Sequence, residues 1–230
     1  MVVEKKINVI NDKSQFKSFC QSKLENFKIH KSETGRRISS TQYSLRGCDL
    51  NDTEALKKII QDEGLDLNAP TLILTECVMV YLEPMSTRNL IRFFSNTFDE
   101  CIYMDYEMFN PFSNFGKMMV KNFKKRGVPL IGMDNFHSLP QIEKMYIEEG
   151  FTIVDIHSMQ DIFMNFIPKA EMQRIRKLEM LDEVEELFLI QEHYFISIAH
   201  KMSSKLKELG SEENSSTYWL YSICFESIKN

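Results

Sequence analysis

The spacing of apolar residues divides the chain into alternating helices and short strands. Val2, Val3, Ile7 and Ile10 fall at helical intervals, so a helix is expected to open the chain. Residues 31–41 (KSETGRRISST) are polar and read as a loop. Residues 43–46 read as a short strand closed by Gly47, and residues 52–60 as a helix with Asp52 or Thr53 as its cap. The run 71–75 (TLILT) is uncharged and β-favouring, as in strands buried on both faces. After Pro84, Leu90, Ile91, Phe94 and Phe98 share one helix face. Residues 101–106 read as a second buried strand. The helix expected over 112–127 carries Lys124, Lys125 and Arg126 at its end and Gly127 just beyond. A helix over 139–150, a strand over 151–159, a charged helix over 168–192 and a final strand over 193–201 complete the pattern. The tail from Met202 onward is assigned no element.

Alternation of strand and helix implies an α/β layout with a mostly parallel sheet covered on both faces. Ligands of such sheets bind outside the carboxyl ends of the strands. Glu76 closes one strand there, Asp105 and Glu107 lie near the end of the next, and Asp49 follows the first. Acids in those places are positioned to accept hydrogen bonds from a ligand rich in donors. A carboxylate at the exit of a buried strand needs such a partner, because burial without one is costly.

Composition narrows the class. The chain has 230 residues, 43% hydrophobic and 27% charged, with 17 Phe, 14 Met and one Trp, so Phe and flexible Met are expected to fill the core. A net charge of −5 argues against a nucleic-acid partner. The five cysteines are scattered, with no C-x-x-C pair, and the five histidines do not cluster, so neither a disulfide framework nor a metal site is expected. No signal-like or membrane-length apolar run occurs, which leads to the expectation of a cytoplasmic monomer off the membrane. None of the eight glycines forms a G-x-G, so the glycine-rich turn that cradles a nucleotide-type cofactor is not encoded in these residues.

The blocks PTLILTECVMVYLEP, RFFSNTFDECIYMDYEMFNPF, FGKMMVKNFKKRGVPLIG and PKAEMQRIRKLEMLDEVEELFLIQEHYFISIAHK resemble the leucine carboxyl methyltransferases, over residues 43–201. The resemblance implies a class I S-adenosylmethionine-dependent, Rossmann-like α/β sheet lacking its first two strands. Residues 1–201 would then be the C-terminal portion of a methyltransferase domain and 202–230 a tail of uncertain structure. The implied activity is methyl transfer from S-adenosyl-L-methionine to the C-terminal leucine carboxylate of the protein phosphatase 2A catalytic subunit. By the same resemblance, Asp49 and Leu50 flank the adenine and Glu76 lies beside the methionine part of the cofactor. Asn51 stands where the family often carries a basic residue.

Each residue has a structural alternative. Asp49 could serve as a turn or cap, Leu50 as core, and Glu76 as a partner of a loop amide. Tyr81 could donate to the substrate carboxylate or simply pack with its hydroxyl at the surface. Cys77 beside Glu76 reads as packing, because a neighbouring carboxylate raises a thiol's pKa. A carboxylate nucleophile is already ionised at neutral pH and needs no general base, so no Ser–His or Cys–His constellation is expected. Two other functions stay open: a non-catalytic remnant that binds a partner without cofactor, and a different adenosine-cofactor enzyme such as a dehydrogenase.

Overall fold

The computed structural model describes residues 2–32, 35–178 and 182–201. They fall into two compact units that divide between Leu65 and Asp66.

The first unit opens with α1 (Val2–Asp12), where Ile7 is fully buried, and α2 (Ser14–Lys23). A three-stranded antiparallel sheet follows: β1 (Lys28–Ser32), β2 (Gly35–Ser39) and β3 (Ser44–Leu45), in that order. The polar stretch read as a loop is therefore largely a hairpin. Its single apolar position, Ile38, is 1% exposed, and its two arginines are paired with acids elsewhere in the first unit. Glu4 accepts from the Arg36 backbone N–H at 3.1 Å, and Glu63 holds both Arg37 and Arg46 at 3.2 and 3.1 Å. The strand expected over 43–46 shrinks to two residues and belongs to this sheet, not to a parallel one. The helix α3 (Thr53–Asp62) begins where expected: the Asp52 side chain accepts from the Ala55 N–H at 2.9 Å.

The second unit is built on β4 (Thr71–Glu76), β5 (Cys101–Met108), β6 (Ile153–Ser158) and β7 (Tyr194–Lys201). The strand order is β4-β5-β7-β6. β4 and β5 are parallel, whereas β7 runs antiparallel to both β5 and β6. The helix α4 (Pro84–Thr97) makes the crossover between β4 and β5, with Pro in its first turn. The helices α5 (Asn114–Lys125) and α6 (Leu139–Glu148) lie between β5 and β6. α7 (Met159–Asp161) continues into a π-turn, Ile162–Phe166, and α8 (Lys169–Arg176) and α9 (Val184–Gln191) lead to β7. The single charged helix expected over 168–192 is thus two helices. The tail beyond Lys201 lies outside the described residues.

One face of this sheet is fully packed. Tyr103 of β5 is at its centre, with the rings of Phe94, Tyr146 and Phe151 at 5.8, 5.5 and 5.7 Å. Above it, α4 and α6 are tied by Arg88 and Arg92, which contact Glu149 at 2.8 and 2.6 Å, and by the Ser95 hydroxyl donating to the Glu149 carbonyl. The opposite face is not covered on β4. Leu72 and Leu74 are 62% and 60% exposed, contrary to a strand buried on both sides.

After β4 the chain makes a 3-10 turn, Met79–Tyr81, which packs against Gly132. The Gly132 N–H donates to the Val80 carbonyl at 2.8 Å, and a Cβ there would stand 2.6 Å from the carbonyl oxygens of Met79 and Leu82. Gly132→Ala is therefore expected to destabilise the fold by about 1–3 kcal/mol, the usual range for overpacking. Denaturant unfolding monitored by circular dichroism would measure it; an unchanged midpoint would show that the turn yields freely.

Candidate functional site at the carboxyl ends of β4 and β5

Period-two alternation sorts the strand-end residues onto two faces. Glu76 and Tyr106 are register partners, so they share one face, and Tyr106 stacks on Tyr194 of β7 with ring centroids 5.4 Å apart. Asp105 and Glu107 point to the other face and are fully buried. This corrects the expectation that all these acids face a ligand: two of them hold the scaffold together.

Asp105 is surrounded by hydroxyls. Thr75 donates to Oδ1 at 2.7 Å and Tyr146 to Oδ2 at 2.7 Å, while Thr75 and Tyr103 lie 2.9 Å apart. Burial still raises its pKa to about 6, against the pull of those hydroxyls. Glu107 is held by backbone N–H groups. Oε2 accepts from Met79 at 2.9 Å and Val80 at 3.3 Å, and Oε1 from Met108 at 2.8 Å. Burial and then the Asp105 charge push Glu107 up to about 8, although the three N–H groups favour ionisation. This carboxyl fastens the turn after β4 to the end of β5.

Glu76 and Tyr81 are carried at the two ends of that fastened segment. The Glu76 side chain is exposed and makes no hydrogen bond or ion pair among the described residues. The next residue, Cys77, has a left-handed backbone (φ 50°), unusual for a side-chain-bearing residue, and its N–H donates to the Tyr106 carbonyl at 2.8 Å. Its thiol is pushed up to about 12 by burial, then by Glu107, Glu76 and Asp105, so it stays protonated and unreactive at neutral pH. Tyr81 is half-buried, 6.5 Å from the Phe123 ring, and burial followed by Cys77 and Glu107 raises its hydroxyl pKa. It is therefore a hydrogen-bond donor at neutral pH. Tyr194 is likewise raised to about 12, chiefly by burial. The groups that shift one another here are acids, thiols and phenols; no basic group is among them.

Asp49 and Leu50 belong to the first unit. Asp49 is exposed, and its Oδ1 accepts from both the backbone N–H and the side-chain amide of Asn51 at 3.0 and 2.9 Å. Those bonds lower its pKa and make it a turn residue, with Oδ2 left over as an acceptor. Leu50 is half-buried.

One constellation escaped the sequence reading. Ser113, the cap of α5, lies 2.5 Å from His193 Nε2, while His193 Nδ1 lies 2.6 Å from the Leu189 carbonyl. Ser113 Oγ also accepts the Gly116 N–H at 2.8 Å, and His193 is 2% exposed. The pair braces a helix start against β7 and presents no open nucleophile. Eighty residues separate the two, so no local pattern announces them. Among the described residues no group of His, Cys, Asp and Glu could hold a metal ion, and no helix is long and apolar enough to cross a membrane.

A final antiparallel strand inserted between two parallel ones, following a parallel β4–α4–β5 unit, gives this sheet the strand pattern of a class I Rossmann-like methyltransferase fold. Residues 3–95 match the leucine carboxyl methyltransferase family model. The Arabidopsis thaliana leucine carboxyl methyltransferase 1 homolog is 33% identical over 163 residues, covering 71% of this chain and 49% of that protein. The Bos taurus leucine carboxyl methyltransferase 1 is 31% identical over 182 residues, 77% of this chain and 54% of that protein. The Rattus norvegicus tRNA wybutosine-synthesizing protein 4 is 32% identical over 175 residues, 76% of this chain and 26% of that protein. The chain belongs to the leucine carboxyl methyltransferase family, whose cofactor is S-adenosylmethionine, and it spans about half the length of the two leucine carboxyl methyltransferases.

The two buried carboxyls make stability pH-dependent with a definite sign. Both are raised in the fold from ordinary values of 3.8 and 4.5 to about 6 and about 8, so the folded state keeps protons the unfolded chain has released. Their contribution is fully present below about pH 4 and is lost as pH rises through 6 and 8. Thermal melts of the second unit are expected to fall by roughly 5 °C or more between pH 5 and 8.5, and Glu107→Gln should flatten the decline. A wild-type profile flat over that interval would contradict the assignment.

Proposed function

We propose that the chain is the cofactor- and substrate-facing part of a protein carboxyl methyltransferase. It would act on the C-terminal leucine carboxylate of the protein phosphatase 2A catalytic subunit in the cytoplasm. The observation that carries this is Glu76: an exposed carboxylate at a parallel strand end with no partner of its own, on the same face as the Tyr106–Tyr194 pair. Acids and tyrosine rings with no base among them suit a cation, through charge-assisted hydrogen bonds and cation–π contact. S-adenosylmethionine, when bound, supplies a methyl group on a positively charged sulfur, together with an ammonium group.

In this reading Glu76 pairs with the ammonium, and the roles of Asp49 and Leu50 at the adenine rest on the family resemblance alone. Tyr81, kept protonated, donates to the leucine carboxylate and orients one of its oxygens towards the methyl carbon. The attacking oxygen is already ionised, so the chain's task is alignment, which can contribute several kcal/mol. The net charge of −5 favours a protein tail over tRNA as substrate, although one relative is named for tRNA wybutosine synthesis. The second reading, a partner-binding module without cofactor, is favoured by a single observation: the sequence contains no G-x-G turn.

Calorimetry with S-adenosylmethionine separates the two. Weak uptake is expected, reduced about tenfold or more in Glu76→Ala, as for a charge-assisted bond of roughly 1.5–3 kcal/mol. Glu83→Ala should stay within about twofold of the parent. Equal effects remove Glu76 from the site, and no uptake at all favours the partner-binding reading. Methyl transfer to a peptide ending in free leucine, but not to its amide, would establish the acceptor.

A further inference from the structure

The strand-end site gathers acids, a thiol and phenols, yet the acceptor proposed for it is itself an anion. Positive charge lies close by, on α5. Residues 114–127 (NFGKMMVKNFKKRG) hold Lys117, Lys121, Lys124, Lys125 and Arg126 and no acid. The chain carries −5 overall, so setting these five cations aside leaves −10 on the remainder. The four lysines fall within about 100° of the helix circumference and about 12 Å of its length. All five cations are exposed, and none of their side chains makes a hydrogen bond or ion pair among the described residues. Met118, 54% exposed, stands among them. Phe123, the residue before Lys124, sets its ring 6.5 Å from that of Tyr81. The cationic stripe therefore begins beside the proposed acceptor position.

Helix stability does not account for the stripe. Lys117, Lys121 and Lys125 follow one another at intervals of four, where like charges repel across successive turns. Lys117 also lies near the start of α5, the end at which the helix dipole disfavours a cation. Other surface helices pair such charges internally: Lys144 with Glu148 on α6, and Arg174 with Glu171 on α8. Nor are unpartnered full charges what a chain packs against its own core. We propose that this face of α5 is the docking surface for an acidic patch on the protein that carries the acceptor carboxylate, an inference that rests on the acceptor being a protein tail. On a chain that is otherwise acidic, the stripe turns an acidic partner towards one face and speeds its encounter. Docking there brings the partner's terminal carboxylate to Tyr81 against the repulsion of Glu76. Met118 favours a protein over RNA, because methionine is enriched at protein interfaces. RNA is gripped by aromatic rings and arginine planes, whereas four of the five cations here are lysines.

Fluorescence anisotropy with the full chain tests the proposal. The probe is a labelled glutamate-rich peptide, amidated at its C-terminus and offered without cofactor. Its binding therefore does not depend on S-adenosylmethionine uptake or on methyl transfer, so a failure here is distinct from a failure of the strand-end site. The same peptide with glutamine for each glutamate, and a tRNA, are the other arms. The glutamate peptide is expected to bind, to weaken steeply as salt is raised, and to exceed the glutamine peptide by about tenfold or more in affinity. Lys121→Glu should weaken it by about tenfold, whereas the same reversal at Lys58, exposed on α3, should leave it within about twofold. The melting temperature of Lys121→Glu should hold or rise, because the new acid lies four residues from both Lys117 and Lys125. Equal binding of the two peptides, or equal effects of the two reversals, would overturn the docking surface. A lowered melting temperature in Lys121→Glu would overturn it too, by showing that the lysine serves the fold. So would tRNA bound more tightly than the glutamate peptide and lost in Lys121→Glu, which would make the stripe an RNA contact.

Discussion

The three backbone N–H groups gathered by the Glu107 carboxyl are the constraint on which the rest of the second unit depends. A buried carboxyl in the middle of a packed face is costly unless its oxygens are satisfied, and here the satisfaction comes from the turn Met79–Tyr81 and from Met108. That fixes the direction in which the chain leaves β4. Cys77 takes its left-handed backbone, Glu76 is left on the open face, and Tyr81 is set at the far end of the turn. Gly132 is needed beneath because the turn is drawn down so closely that no Cβ fits. Asp105, two residues earlier on the same face, does for β4 and α6 through Thr75 and Tyr146 what Glu107 does for the turn. Both acids are retained at an energetic cost, since burial raises both pKa values; what they provide is position.

Much of this was legible in the sequence, and the parts that were not share a cause. The uncharged run TLILT, the Asp52 cap and the amphipathic helix after Pro84 depend on local patterns, and each appears within a residue or two of its expected place. The strand β2 (Gly35–Ser39) of the hairpin escapes pattern reading because GRRIS holds only one buried side chain, and its arginines are satisfied by Glu4, Asn8 and Glu63 elsewhere in the first unit. No alternation rule sees such partners. Asp105 and Glu107 were recognised as strand-end acids but placed on the wrong side. Alternation from Glu76, through its register partner Tyr106, would have separated them, yet the register itself is a tertiary fact. The Ser113–His193 contact is hidden for the same reason.

The distribution of charge around the strand ends also bears on chemistry. A site for an anionic phosphate would gather N–H groups, lysines or arginines. Here the N–H groups of the turn are already consumed by Glu107, and the side chains that remain are a carboxylate, a thiol pushed up to about 12 and phenols whose pKa values are raised. Such surroundings offer no cationic partner to a phosphate and cannot activate a nucleophile of their own. They suit a cation such as the sulfonium and ammonium groups of S-adenosylmethionine.

An edge strand differs from an exposed loop in that its unsatisfied groups are regularly spaced, so whatever satisfies one satisfies all. On β4 the outward amides coincide with the exposed leucines, because residues of one parity carry both. Hydrogen-bonding capacity and apolar exposure therefore coincide on this edge. β6 shows the contrary arrangement within the same sheet: its outward side chains are charged and already engaged with one another.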